Sequence, residues 1–158
     1  MKALPVLTLL PLVLACGCTT TITREYRAGE EGRICEAALG KELASRDTNR
    51  LVYVAFRDSE YRKFDPPDAF LERLRASGIP ARKASESSRD ATSRVVDKVT
   101  GEPGAIYSAS VLRWLNNSKV EAMRGYEAGN LAGGATCCMM KNKGGKWRET
   151  KITRVVTY

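Results

Sequence analysis

The chain has 158 residues, with 26 lysines and arginines against 18 aspartates and glutamates, no histidine and a formal net charge of +8. Without histidine, neither a Ser-His-Asp triad nor a Cys-His pair can be assembled from this chain, and the side chain that most often titrates near neutral pH is missing. The length suits one domain with its own core, and the positive surplus favours attraction to anionic lipid, an acidic protein or a polyanionic glycan, or else serves as a soluble face.

The first element is apolar. Ala3 to Ala15 follow a minimal basic start, Met1-Lys2, and end at Cys16. A spanning helix needs roughly 20 apolar residues, and Pro5 and Pro11 weaken this shorter run further, so residues 1–15 read as a targeting segment. Val13-Leu14-Ala15-Cys16 resembles a bacterial lipobox, although Val13 stands where leucine is commonest. The resemblance implies that Cys16 is lipidated and becomes the first mature residue. Gly17 in place of aspartate then resembles the pattern of outer-membrane lipoproteins facing the periplasm, with a secreted or periplasmic form as second choice. Two further readings of the segment are an ordinary signal peptide cut near Ala15 and a buried N-terminal strand. Two or more acyl chains hold a protein stably at a bilayer, whereas one is marginal.

Residues 16–28 are polar and threonine-rich and read as a tether, leaving 29–158 as a single domain without internal repeats. Cys35, Leu39 and Leu43 recur at helical spacing beside Ile34 and Ala38, which predicts a helix over Glu30 to Ser45 despite Gly40. Asp47-Thr48-Asn49 is expected to end it as a turn. Leu51 to Phe56, rich in β-branched and aromatic residues, reads as a strand. Asp65-Pro66-Pro67-Asp68 reads as a helix start with Asp65 as the cap, Phe70, Leu71 and Leu74 as the buried face, and Gly78 with Pro80 as the stop. Ala84 to Thr92 is small and polar and is expected to be a loop leading into Arg94 to Val99.

The C-terminal half reads as a meander. Gly104–Leu115 turns at Asn116-Asn117-Ser118 into Val120–Ala128, and Ala135–Lys141 turns at Asn142 to Gly145 into Trp147–Thr157. In the last strand, basic residues and threonines recur among Ile152, Val155 and Val156, as expected of a sheet with one wet face. The predicted fold class is α+β, with one or two N-terminal helices on a curved, mainly antiparallel sheet of about five to six strands.

Leu51-Val52-Tyr53-Val54-Ala55-Phe56-Arg57-Asp58, the helix segment Phe70 to Leu74, the Gly-rich stretch Gly125 to Gly134 and Gly145-Lys146-Trp147 together resemble a group of small exported bacterial proteins of unknown function. The resemblance implies no reaction and no ligand. Members often carry a cysteine in the Gly-rich stretch, where this chain has Ala128 and Ala132. The helix-on-sheet plan also looks like cystatin-like and nuclear-transport-factor-like rolls, a likeness that does not select a function.

Chemistry is sparse. Cys137 and Cys138 are adjacent, so on a regular strand they point to opposite faces and cannot clasp one metal; no metal site and no cofactor are expected. One of the pair is expected to face the helix stripe, making Cys35 to Cys137 or Cys138 a candidate disulfide, with buried free thiols as the other reading. Glu121 and Glu127 lie roughly 20 Å apart along a strand, beyond the roughly 5 to 9 Å of paired glycosidase carboxylates. Asp58 and Glu60 are expected to pair with Arg57 or Arg62. The Gly-rich stretch lacks the spacing of a phosphate loop, and its glycines are expected to serve bulges, positive φ or close strand approach.

Tyr126, Trp147, Lys146 and Arg148 are the candidate binding surface, with core packing as the alternative for the two aromatics. The leading functional expectation is a non-enzymatic, envelope-anchored domain, attached to the membrane through its lipid, that binds a protein or other envelope component. The second is a small-molecule-binding roll whose apolar pocket is lined by Phe56, Phe70, Leu74 and Met139. Nucleic acid is not an expected partner, because no basic run is interleaved with aromatics.

Overall fold

The structure is a computed structural model and describes residues 24–44, 50–129 and 132–157. Two helices lie on a seven-stranded mixed sheet. The elements are α1 (Arg24–Leu43), β1 (Leu51–Arg57), β2 (Lys63–Phe64), α2 (Asp68–Ala76), β3 (Ala81–Lys83), a short 3-10 turn (Ala84–Glu86), β4 (Ser87–Arg89), β5 (Val95–Asp97), β6 (Gly104–Asn116), β7 (Lys119–Gly129), β8 (Ala132–Lys143) and β9 (Lys146–Thr157). No described helix is long and apolar enough to cross a membrane. The lipobox, Cys16 and the turn at Asp47-Thr48-Asn49 lie outside the described residues.

The α+β class holds, with more strands than expected. The main sheet runs β2-β1-β6-β7-β8-β9, with β3 pairing the same edge of β1 further along, and β4 and β5 forming a separate hairpin. From β6 onward every pairing is antiparallel, as the meander predicts. β1, however, runs parallel to both β3 and β6. Parallel partners need a crossover, which α2 supplies between β1 and β3. The strands β2, β3 and β4 are two or three residues long, too short to show an alternating pattern.

Helix α1 begins at Arg24 and so takes in residues 24–28, which read as tether from composition. It buries Glu30, Glu31, Ile34, Cys35, Ala38, Leu39 and Leu43, a continuous helical stripe in which the first two members are acidic. Helix α2 buries Phe70, Leu71 and Leu74 as predicted. Its start differs: Pro67 is the N-cap, without a side-chain cap, and the Asp65 carboxylate instead accepts the Ser85 hydroxyl at 2.9 Å. Gly78, at φ +85°, supplies the left-handed backbone that ends the helix.

Both helices face the same side of the sheet. The core between them contains Val52, Val54 and Phe56 of β1, Ala109 and Val111 of β6, Val120 and Ala122 of β7, Cys138 and Met140 of β8, and Trp147 of β9. Gly125 lets β7 approach β8 closely, for a Cβ there would stand 2.6 Å from the Gly134 carbonyl oxygen. On the opposite side, a small second cluster of Leu51, Tyr53 and Val95 seats the β4–β5 hairpin over β1.

Candidate functional site

Strand register assigns every side chain of the meander to one of two faces. Ala122 pairs with Cys138, and Asn142 with Trp147, so Cys138 and Trp147 point toward the helices. Trp147 is 6% exposed, and its Nε1 donates to Glu30 Oε2 at 2.6 Å. Its place in the candidate binding surface is therefore corrected: a buried indole donor had a buried carboxylate to meet. Tyr126 lies on the same helix-side face, half-buried, stacked on Tyr107 with ring centroids 6.0 Å apart. Lys146 and Arg148 flank Trp147 and project exposed from the other side. The four candidates thus divide between two faces rather than forming one patch.

The helix-free face is strongly cationic. Lys119, Lys141 and Arg148 stand in register across β7, β8 and β9, giving three positive side chains in one row. Lys143 faces Lys146 beside the β8–β9 turn, whose Gly144 and Gly145 have φ +58° and +76°. Lys151 and Arg154 extend the charge along β9. Among the described residues none of these seven forms an ion pair. The two acidic residues of this face are already engaged: Glu121 accepts Arg113 at 2.8 Å, and Glu127 pairs with Arg89. Like charges directly opposite one another destabilise a sheet, so nothing internal to the domain favours this arrangement.

Beside this surface, and on the same side of the sheet, lies an open cleft of about 690 Å³. Ala55, Ile106 and Ser108 line it from β1 and β6, Arg57 and Lys63 from one end, and Ser87, Ser88 and Arg89 from β4. The β4–β5 wall is held by Asp97, which is 3% exposed. Its carboxylate accepts the Thr100 and Val99 amides at 2.9 Å each, the Tyr53 hydroxyl at 2.9 Å and Arg82 at 2.5 Å. The two amides, then the Tyr53 hydroxyl and the Arg82 charge, hold the Asp97 carboxyl well below the usual carboxylate range. Burial first, and the bond to Asp97 second, push the Tyr53 phenol up to about 12.

On the helix side, Arg124 is a part-buried cation. It pairs with Glu42 of α1 at 3.1 Å and with Glu149 of β9, joining helix to sheet edge. Asp58 and Glu60 both pair with Arg62, at 2.6 and 3.2 Å, in keeping with a solvated salt-bridge reading. No group of three or more ligating side chains able to hold a metal occurs among the described residues.

The candidate disulfide is corrected. Cys35, Cys137 and Cys138 are all buried free thiols. Cys138 does face the helix layer, yet Cys35 sits over β1, its thiol donating to the Arg57 carbonyl at 3.8 Å, whereas Cys138 lies on β8. Three strand spacings separate β1 from β8, roughly 14 Å, and a bridge needs Cα atoms within about 7 Å. Burial pushes the Cys35 thiol up to about 12 and Cys138 to about 11.

The apolar-pocket lining is likewise not brought together. Phe56, Phe70 and Leu74 belong to the packed helix–sheet core, whereas Met139 pairs with Lys151 on the helix-free face. The chain matches no protein-family model, no curated protein and no solved structure.

Sequence reasoning grouped Lys146 and Arg148 with Tyr126 and Trp147 as one surface and missed Lys119, Lys141, Lys151 and Arg154 as their companions on the helix-free face. For Lys119, Lys141 and Arg154 the signal was present, because period-2 counting outward from Arg148 and across the hairpin turns puts them on one side. The bulge between Met139 and Met140 puts Lys151 out of step with Arg148 and hides it from simple alternation, and the second bulge, between Cys137 and Cys138, restores the count at Arg154. Lys63 carried no such signal, since a two-residue strand has no readable period, and Arg57 ends a strand buried on both faces, where alternation marks neither side.

Proposed function

We propose that this chain is a non-enzymatic binding domain, held at the bacterial envelope by acyl chains on Cys16, that engages an anionic envelope protein or glycan through the helix-free face of its sheet. The observation that carries the reading is the in-register row Lys119, Lys141 and Arg148, three cations without an ion-pair partner among the described residues. Such a row costs folding free energy in isolation and loses that cost against an opposite charge. The lipobox resemblance supports the proposed location, as does the resemblance of residues 51–158 to exported bacterial proteins.

The test is affinity capture of the full-length protein from detergent-solubilised envelope, comparing wild type, K141E/R148E and C16S. The expected result is a component captured by wild type at low salt, released as salt is raised, and not captured by K141E/R148E. C16S is expected to leave the membrane fraction while keeping the affinity of the face. Equal capture by wild type and K141E/R148E would overturn the assignment of the surface, and an unmodified wild-type N-terminus in the soluble fraction would overturn the anchor.

A further inference from the structure

Arg57 and Lys63 are direct antiparallel partners at the end of the β1–β2 pair, and both line the cleft of about 690 Å³. Side chains so paired start from Cβ atoms about 5 Å apart, and like charges in that position repel. Neither forms an ion pair among the described residues. The other cleft cations are committed: Arg89 to Glu127 and the Ser93 carbonyl, and Lys98 to the Ser85 carbonyl at 2.5 Å. Of the cleft's carboxylates, Glu127 is taken by Arg89 and Asp65 accepts the Ser85 hydroxyl, so the cleft presents two adjacent positive groups without an ion pair among the described residues.

We propose that this cleft binds a small polyol or sugar bearing a phosphate monoester, with the phosphate between Arg57 and Lys63. A dianionic group answers two adjacent cations at once. The arginine offers its planar fork of donors and the lysine a mobile point charge, the pairing that phosphate oxygens accept. The rest of the lining mixes the hydroxyls of Ser88 on β4 and Ser108 on β6 with Phe64, Ile106 and the carboxylate of Asp65, a polar and shallowly apolar wall that suits a sugar or polyol better than an acyl chain. The volume falls within the roughly 300–1,000 Å³ of small-molecule sites. This inference goes beyond the strand-face reading, uses none of its residues and does not depend on the anchor.

The probe is glycerol 3-phosphate, titrated calorimetrically into the full-length protein in neutral detergent, with glycerol as the uncharged control. Saturable binding with a dissociation constant below about 1 mM is expected, weakened at least tenfold in R57Q/K63Q and unchanged in K141Q/R148Q. A second arm adds phosphatidic acid to the micelles: competition with glycerol 3-phosphate identifies a lipid headgroup as the source, and its absence a soluble ester. If R57Q/K63Q loses its fold by circular dichroism, K63Q alone, on the exposed edge strand, is read instead, with at least a threefold loss expected. The proposal is overturned if neither phosphate compound binds saturably, if glycerol binds equally well, or if the cleft variants keep wild-type affinity.

Discussion

Trp147 and Glu30, 117 residues apart, join the outermost strand to the first helix through a 2.6 Å bond from indole Nε1 to carboxylate Oε2. Trp114 repeats the device one residue on, donating to Glu31 at 3.0 Å, and the two indoles meet edge to face at 5.8 Å. The long C-terminal strands are thereby pinned to the helix by two charge-assisted hydrogen bonds, the first buried and the second part-buried.

Replacing Trp147 by phenylalanine removes the donor while keeping an aromatic ring, and leaves Glu30 with its bond to Arg33 as the remaining side-chain partner. W147F is expected to lose about 2 kcal/mol in urea unfolding, the cost of an under-satisfied buried carboxylate plus lost ring area. W147F/E30M is expected to recover part of that loss, since removing both polar partners removes the desolvation cost. A double variant less stable than W147F would show that the bond itself is unimportant.

Gly125 is expected to be intolerant of even a methyl group, because the atom it would strike is backbone, the Gly134 carbonyl oxygen at 2.6 Å. G125A should cost about 1–3 kcal/mol by forcing β7 and β8 apart. G129A, whose Cβ meets only Arg94 Cγ at 4.0 Å, is the control and should be close to neutral. Chemical denaturation of the two variants side by side decides the matter.

Asp97 links stability to acid. Its carboxyl binds a proton less readily in the folded chain than at the ordinary value of 3.8, so its stabilisation is present above pH 3.8 and is lost as pH falls toward the lowered folded value. The Tyr53 phenol, raised from 10 to about 12, works in the other direction: its contribution is complete below pH 10 and is lost as pH rises through 12. Urea midpoints of D97N are expected to fall less steeply between pH 5 and 2 than those of wild type, and midpoints of Y53F less steeply between pH 10 and 12. Parallel profiles for variant and wild type would contradict the assigned bonds.

Cys35 and Cys138 should resist alkylation in the native protein at pH 8, because burial keeps both thiols protonated, at about 12 and 11. Quantitative labelling is expected only after unfolding. Non-reducing peptide mapping of protein recovered from the envelope is expected to show Cys35 unbridged. A Cys35–Cys138 cross-link would contradict the strand order, which sets β1, under Cys35, three spacings from β8, which carries Cys138.

Local pattern was enough for the long elements. The Ile34-to-Leu43 stripe, the apolar face of α2 and the four strands from Gly104 to Thr157 are short-range signals, read from spacing and turn residues within one segment, and they fold as that spacing requires. The α+β class followed from their order. What only the tertiary structure decided was pairing: β1 parallel to β6, two short strands sharing one edge of β1, and a hairpin closing a cleft over the other face. It also decided which polar groups are buried. The apolar stripe of α1 gave no sign that Glu30 and Glu31 are buried, and Trp147 stood open between binding surface and core packing, until the helix met β6 and β9 and the indoles met the carboxylates. Periodicity is a property of one segment. A buried hydrogen bond, or a cation left without a partner, is a property of two segments distant in the chain, and only their approach in space determines it.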